Sequence, residues 1–309
     1  MKRFLMLPCV ALLTACSGGH PDGDRPIRQL TPVEYNNAVR DLYGFAPNAD
    51  WPPPPGEDWD EEDEFPSVWP WIFPEEVGVQ GFEGFAEGQV ASPWSVEQAE
   101  AAAAHFARWA PVAPAFWTCE DRSQLDDTTL RTCAWDSVKR FANRAWRRPA
   151  TDAELQRLQV FHDANVADRG VNAGLVKTVR GLLQTPGFLY LVEGSPDAAA
   201  DDRVHRLTQW EVAARLSFFL WDSMPDPALF GAASRGELAT KEQIAAQARR
   251  MLDDPRAREA IVRFHDQWLE VDKVTATLPD MGTYAPVWAN SLIESASAEV
   301  EDLQEVVND

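Results

Sequence analysis

The sequence predicts a mostly α fold: helical bundle-like domains carrying a long irregular insert rich in Pro, Trp and acid. Three observations predict it. Ser/Thr-x-x-Glu/Gln pairs stand ahead of apolar stripes at five places: Thr31/Glu34, Ser95/Gln98, Thr151/Glu154, Thr208/Glu211 and Thr240/Gln243. Such a box satisfies two orphan N–H groups of a helix start reciprocally and is hard to obtain in a β-protein. Strict apolar/polar alternation is nearly absent, and only "GFLYLVE", residues 187–193, has the look of a short strand. Finally, Pro recurs through residues 46–74, which rules out a long helix or a central strand there.

Taken in chain order, the first element is an export signal. Lys2 and Arg3 form a charged start, and Phe4 to Leu13 an apolar run too short to span a bilayer. "LTAC", Leu13 to Cys16, resembles the bacterial lipobox, in which cleavage precedes a cysteine that then receives lipid. Residues 1–15 are thus expected to be a lipoprotein signal peptide, with acyl chains such as palmitate on Cys16. An ordinary secretory signal with a chance cysteine is the alternative. Ser17 stands where an Asp would favour inner-membrane retention, so the expected location is the bacterial outer membrane, facing the periplasm or the exterior. Several acyl chains on Cys16 would exceed the two-signal requirement for stable anchoring. Residues 16–29 are small and polar, a tether.

The next unit, 30–118, opens with "LTPVEYNNAVRDLYG". Thr31 caps, Pro32 suits the first turn, Gly44 suits the C′ position, and Tyr35, Ala38, Val39 and Leu42 make the apolar stripe. The irregular insert follows and continues through Trp94, and Ser95 then opens an Ala-rich helix to Trp109. In 119–200, Ala134 to Arg147 has Trp135, Val138, Phe141, Ala145 and Trp146 on one stripe. Thr151 starts a second helix, and Val171 to Gln184 makes a third, which Thr185-Pro186 ends. In 201–309, Thr208 starts a helix whose run Phe218-Phe219-Leu220-Trp221 reads as fully buried. Thr240 starts another. Pro255 begins a third with Ile261, Phe264, Trp268 and Leu269 on the expected core face. A last helix over 291–307 keeps an apolar stripe (Leu292, Ala296, Val300, Leu303, Val307) and then the chain stops, which reads as a fragment or a truncated protein with apolar surface uncovered.

Charge and cysteines narrow the function. With 309 residues and a net charge of −21, the chain is a poor non-specific binder of nucleic acid or anionic lipid. Cys9 leaves with the signal and Cys16 takes lipid, so Cys119 and Cys133 remain. An even pair in an oxidising compartment reads as a disulfide, closing a loop of about 14 residues worth roughly 3 kcal/mol. Zinc is the rival, but this one pair with no nearby His is poor ligand spacing.

Four sets of side chains are candidates for chemistry. Asn36, Asn37, Arg40 and Asp41 form a polar row on the first helix. Either it faces a ligand or it is a buried network docking the insert, with Asn37 paired to Asp41. Trp51, Trp59, Trp69 and Trp71 could stack on sugar rings or cover the helical core. The run Glu57 to Glu64 alternates Asp58, Asp60 and Glu62 as a Ca²⁺ loop would, but Asp63 and Trp69 stand where an EF-hand needs Gly and Glu, so a solvated linker fits better. Lys139, Arg140, Arg144, Arg147 and Arg148 form a basic cluster that could take an anion or pair internally with that acidic run. His20, His105, His162, His205 and His265 have no metal-motif spacing, and no G-x-S-x-G elbow is present. No metal and no cofactor is expected.

Five stretches in this order, "LTPVEYNNAVRDLYG", "FANRAWRRPATDAEL", "LLQTPGFLYLVEG", "LTQWEVAARLSFFLWDSMPD" and "QARRMLDDPRA…FHDQWL", carry a resemblance. From about Arg28 onward the chain resembles the large exported proteins of planctomycetes and myxobacteria built from planctomycete-type domains of unknown function. Some of these also carry a cytochrome c-like domain. The resemblance places Asn36, Asn37, Arg40 and Asp41 in the family's first signature helix without assigning them a chemical job. The pair Cys119/Cys133 also matches a cysteine pair usual in such proteins. The chain departs at Phe82-Glu83-Gly84, where the family often reads F-D-N, and at Gly187, where it reads Asn. No C-x-x-C-H is present, so covalent haem attachment by this chain is excluded. The leading expectation is a binding or assembly module of the envelope, joined to the membrane through its lipid anchor. The alternative is a subunit of an extracytoplasmic redox enzyme working with a cytochrome c-type partner.

Overall fold

The computed structural model describes residues 27–45, 71, 73, 82–83, 93–193 and 207–269. The signal, Cys16, the acidic run, Trp51, Trp59, Trp69 and the 291–307 stretch lie outside these residues. Among the described residues the protein is mostly α. Nine helices run α1 Pro32–Tyr43, α2 Pro93–Ala107, α3 Asp127–Ala145, α4 Asp152–Leu183, α5 Pro186–Leu189, α6 Gln209–Trp221, α7 Pro227–Ser234, α8 Lys241–Leu252 and α9 Pro255–Trp268. Two-residue strands, β1 Arg28–Gln29 and β2 Tyr190–Leu191, pair antiparallel with Arg28 opposite Leu191. "GFLYLVE" is therefore one helical turn followed by a strand of two residues. None of the described helices is long and apolar enough to cross a membrane.

Four of the five boxes form as capping boxes, at Thr31/Glu34, Thr151/Glu154, Thr208/Glu211 and Thr240/Gln243. The fifth does not. α2 begins at Pro93, so Ser95 lies inside its first turn; Pro at a helix start is already held at a helical φ. Asp caps explain the other differences from expectation. Asp126 accepts from Thr129 N–H and starts α3 at Asp127, ahead of Ala134. Asp226, followed by Pro227, starts α7, a helix without a Thr box. The helices expected at Thr151 and Val171 are one run broken at Gly170, whose φ of 79° and ψ of 175° suit glycine alone.

Two hydrophobic cores result. The first is shared by α1, α2, α3, the second half of α4 and α5, with Phe218 of α6 and Met224 reaching into it, so segments 30–118 and 119–200 pack into one body around Tyr35, Leu42, Phe106, Phe141, Leu182 and Phe188. A Leu or Phe buried to this extent contributes about 1.5–3 kcal/mol. Cys119 and Cys133 form a disulfide at its edge, with Cα atoms 6.1 Å apart. The second core joins α6 to α9 around Trp221, Leu229, Leu238 and Met251.

Two expected faces are not buried as predicted. In the run Phe218-Phe219-Leu220-Trp221 only Phe218 and Trp221 are buried, while Phe219 is 80% exposed. Residues three apart lie near one another on a helix, whereas Phe219 is turned away and Leu220 is only partly buried against the second core. On α9 the buried residues are Ala257 and Ala260, whereas Phe264, Trp268 and Leu269 are all exposed. Among the described residues the buried part of the stripe is its N-terminal turns, and further along Phe82 stacks on Phe264 with ring centroids 5.6 Å apart.

Candidate ligand-binding cleft

The polar row of α1 is a docking network. Asn36 Nδ2 donates to the Pro32 and Trp71 carbonyls at 2.9 and 3.0 Å, and Trp71 N–H donates to Asn36 Oδ1 at 2.9 Å. One amide thus holds both backbone groups of an insert residue. Asn37 and Asp41 do not pair directly. Arg40 lies between them, donating to Asn37 Oδ1 and to Asp41 Oδ1, each at 3.1 Å. An i to i+4 pair of short side chains cannot close such a bond, and the long guanidinium spans it.

The outer side of the row reaches the second core. Asn37 Nδ2 donates to the Asp222 carbonyl at 3.2 Å. Asp41 Oδ2 accepts from Ser223 Oγ at 2.7 Å and from Arg256 at 3.4 Å. Arg256 is itself clasped by Asp254 and lies 3.6 Å over the Trp221 ring. Asp222, at a left-handed φ of 48°, pairs with Arg263, and burial outweighs that cation to push its carboxyl up to about 6. Arg40 Nη2 and the Tyr35 hydroxyl are buried without a hydrogen-bond partner among the described residues.

The other described candidates also make internal contacts. Trp71 is partly buried against the first core, its ring centroid 5.2 Å from that of His105, and so covers helices instead of offering an exposed stacking face. Lys139 pairs with Asp136, and Arg148 with Glu154. Arg140 donates to the Ala115 and Trp117 carbonyls. Arg144 donates to the Asp41 and Leu42 carbonyls at the end of α1, where the helix dipole favours a cation. Arg147 is buried and donates to the Gly187, Phe188 and Tyr190 carbonyls. His105 sits among Trp71, Phe106 and Trp109, and burial beside Arg108 pushes its pKa down to about 4. His162 contacts Thr178 and His265 the Ile261 carbonyl. Among the described residues no three His, Cys, Asp or Glu are placed to hold a metal ion.

What the sequence reading missed is a cleft of about 1010 Å³ between the two bodies. One wall is the first half of α4 with Arg157, Leu158 and Phe161, another the turn Thr185–Gly187 with Trp146, and a third the start of α6 with Trp210, Ala214 and Arg215. Trp146 donates from Nε1 to Thr185 Oγ1 at 2.8 Å. Its ring lies so close to Gly187 that a Cβ there would stand 2.8 Å from it, which is why glycine occupies this position. The rim carries two filled guanidinium forks. Glu154 takes Arg148 at 2.8 and 2.9 Å, and Glu193 takes Arg215. Arg157 has no hydrogen bond or ion pair among the described residues. Apart from Arg157, Leu158, Phe161 and Gly181, the lining residues come from three of the five signature stretches, "FANRAWRRPATDAEL", "LLQTPGFLYLVEG" and "LTQWEVAARLSFFLWDSMPD". That convergence was the available signal, but the stretches are distant in the chain and only folding brings them together.

Chemically, the cleft offers apolar and aromatic walls with charged side chains among them, a composition common to small-molecule sites. No curated protein and no solved structure matches this chain. Residues 133–193 match a family described as PSD5, protein of unknown function (DUF1595), and residues 207–309 one described as PSD4, protein of unknown function (DUF1592). One supplies α4, the turn and β2 of the cleft; the other begins just before α6 and supplies the facing wall. The chain therefore carries two domains of unknown function, PSD5 followed by PSD4, and the cleft lies where they meet.

Proposed function

We propose that this protein is a non-catalytic binding module of the cell envelope, tethered to the outer membrane through lipid on Cys16, and that the cleft between its PSD5 and PSD4 domains is its ligand seat. The observation that carries the reading is the cleft itself. Its volume of about 1010 Å³ lies at the upper end of small-molecule sites, which typically span roughly 300–1,000 Å³ and favour domain seams. The neutral dye Nile red tests it. The native chain is expected to bind the dye saturably, and Ala214→Phe, which fills the cleft from the α6 wall, to lose that binding while keeping its helical circular dichroism. Equal binding by both proteins would overturn the reading.

The anchor has its own test. Cys16→Ser is expected to move the protein from the detergent-extracted membrane fraction to the soluble one, and no movement would remove the lipid from the proposal. Envelope partners are sought by pulling on the tethered chain. Recovery of a haem-bearing protein would transfer support to the alternative, a redox subunit working with a cytochrome c-type partner.

A further inference from the structure

We infer that the ligand of this cleft is an amphipathic carboxylate, its apolar body against the walls and its acid group on Arg157. The inference rests on the reading of the cleft as a ligand seat and adds the charge and chemistry of the occupant.

Among the described residues four arginines line the cleft, Arg147, Arg148, Arg157 and Arg215, against three acids, Glu154, Glu193 and Glu211. Two of these arginines are satisfied by carboxylates in fork geometry, Arg148 by Glu154 and Arg215 by Glu193. Glu211 is committed to the start of α6, where its carboxylate accepts the Thr208 N–H. Arg147 gives its donors to three backbone carbonyls, so its positive charge meets no carboxylate directly. Among the described residues that leaves Arg157 as the guanidinium with donors to offer. In a chain of net charge −21, an excess of positive charge in an apolar cleft is a local reversal of sign. Such a place favours anions over cations and neutral molecules.

The class of anion follows from the donor and the walls. One guanidinium presents two parallel N–H groups, which match the two oxygens of a carboxylate. A phosphate would leave further oxygens without donors, because the neighbouring guanidinium forks are already occupied. Arg157 stands on α4 one turn before Phe161 and next to Leu158, so a group bound to it has its remaining body directed along apolar side chains. Trp146 and Trp210 extend that surface on the other walls.

Displacement of Nile red by three probes of equal chain length, dodecanoate, dodecanol and dodecyltrimethylammonium, tests the inference below their micellar concentrations. In the native chain dodecanoate is expected to displace the dye at about tenfold lower concentration than dodecanol, the value of one charge-assisted hydrogen-bonded contact. The cationic probe is expected to be the weakest. Arg157→Ala should erase the advantage of dodecanoate and leave dodecanol unchanged, and Arg157→Lys should restore part of it. If dodecanoate and dodecanol displace equally, or if Arg157→Ala keeps the difference, the inference is overturned. In that case Nile red binding lost in Ala214→Phe still supports the cleft as a seat. If the native chain binds no dye at all, both readings fall together.

Discussion

Arg147→Ala probes the contact that holds the floor of the cleft. The guanidinium is 5% exposed and donates to the Gly187, Phe188 and Tyr190 carbonyls at 2.8, 3.2 and 2.8 Å. Bonds from a charged donor are each worth about 2 kcal/mol, so three of them amount to about 6 kcal/mol. Burial works against them, pushing the pKa of Arg147 well below its ordinary value, to about 10. That corresponds to about 3 kcal/mol of penalty for holding the charge. The net loss on truncation is therefore about 3 kcal/mol, or a fall in Tm of roughly 6–12 °C. Thermal and urea unfolding followed by far-UV circular dichroism measure it. Arg147 also sits at a left-handed φ of 58°, so Arg147→Gly should be less damaging than Arg147→Ala by up to about 1 kcal/mol. A loss below about 1 kcal/mol for Arg147→Ala would refute the assignment of a net stabilising role to these three bonds.

Two further outcomes follow from the electrostatics. His105 has its pKa depressed to about 4 by burial beside Arg108. Its stabilising contribution is present above the ordinary histidine value of 6.5 and is lost as pH falls from there to about 4. His105→Gln should therefore lose less stability than the native chain between pH 7 and 5, by about 1–2 kcal/mol in urea titrations at the two pH values, and parallel losses would count against it. The second outcome concerns the seam itself. A double-mutant cycle of Asp41→Asn with Arg256→Gln should return a coupling of about 1 kcal/mol, because the pair is largely shielded from solvent. A coupling near zero would mean that α1 docks on the second core without this ion pair.

Much of the fold was legible because its signals are local. A Thr box or an Asp followed by Pro acts within one turn of backbone, so helix starts can be read without knowing what the helix packs on. Ser95 shows the limit, since a proline two residues upstream opened the same helix first. Burial was harder to read. Phe264 and Trp268 have the spacing of a core face, yet the turns that are covered on α9 are those carrying Ala257 and Ala260. Periodicity shows which residues share a face; it does not show how far along the helix a neighbour reaches.

The polar row illustrates the same division for the candidate sites. Its identity as a network was readable from Asn36, Asn37, Arg40 and Asp41 on one helix, and so was its use in docking the insert. That it also reaches Asp222, Ser223 and Arg256 was not, because those partners lie more than 180 residues further along the chain. The cleft is the extreme case. Trp146, Arg157, Gly187 and Trp210 each look unremarkable in their own segments.

Composition, caps and breakers settle helix type and start points here because the free energies involved act between residues a few positions apart. The seam between PSD5 and PSD4, the commitment of Arg147 to three carbonyls and the open donors of Arg157 arise only when distant helices are packed. Which charge is spent and which is left to meet a ligand depends on neighbours supplied by another part of the chain.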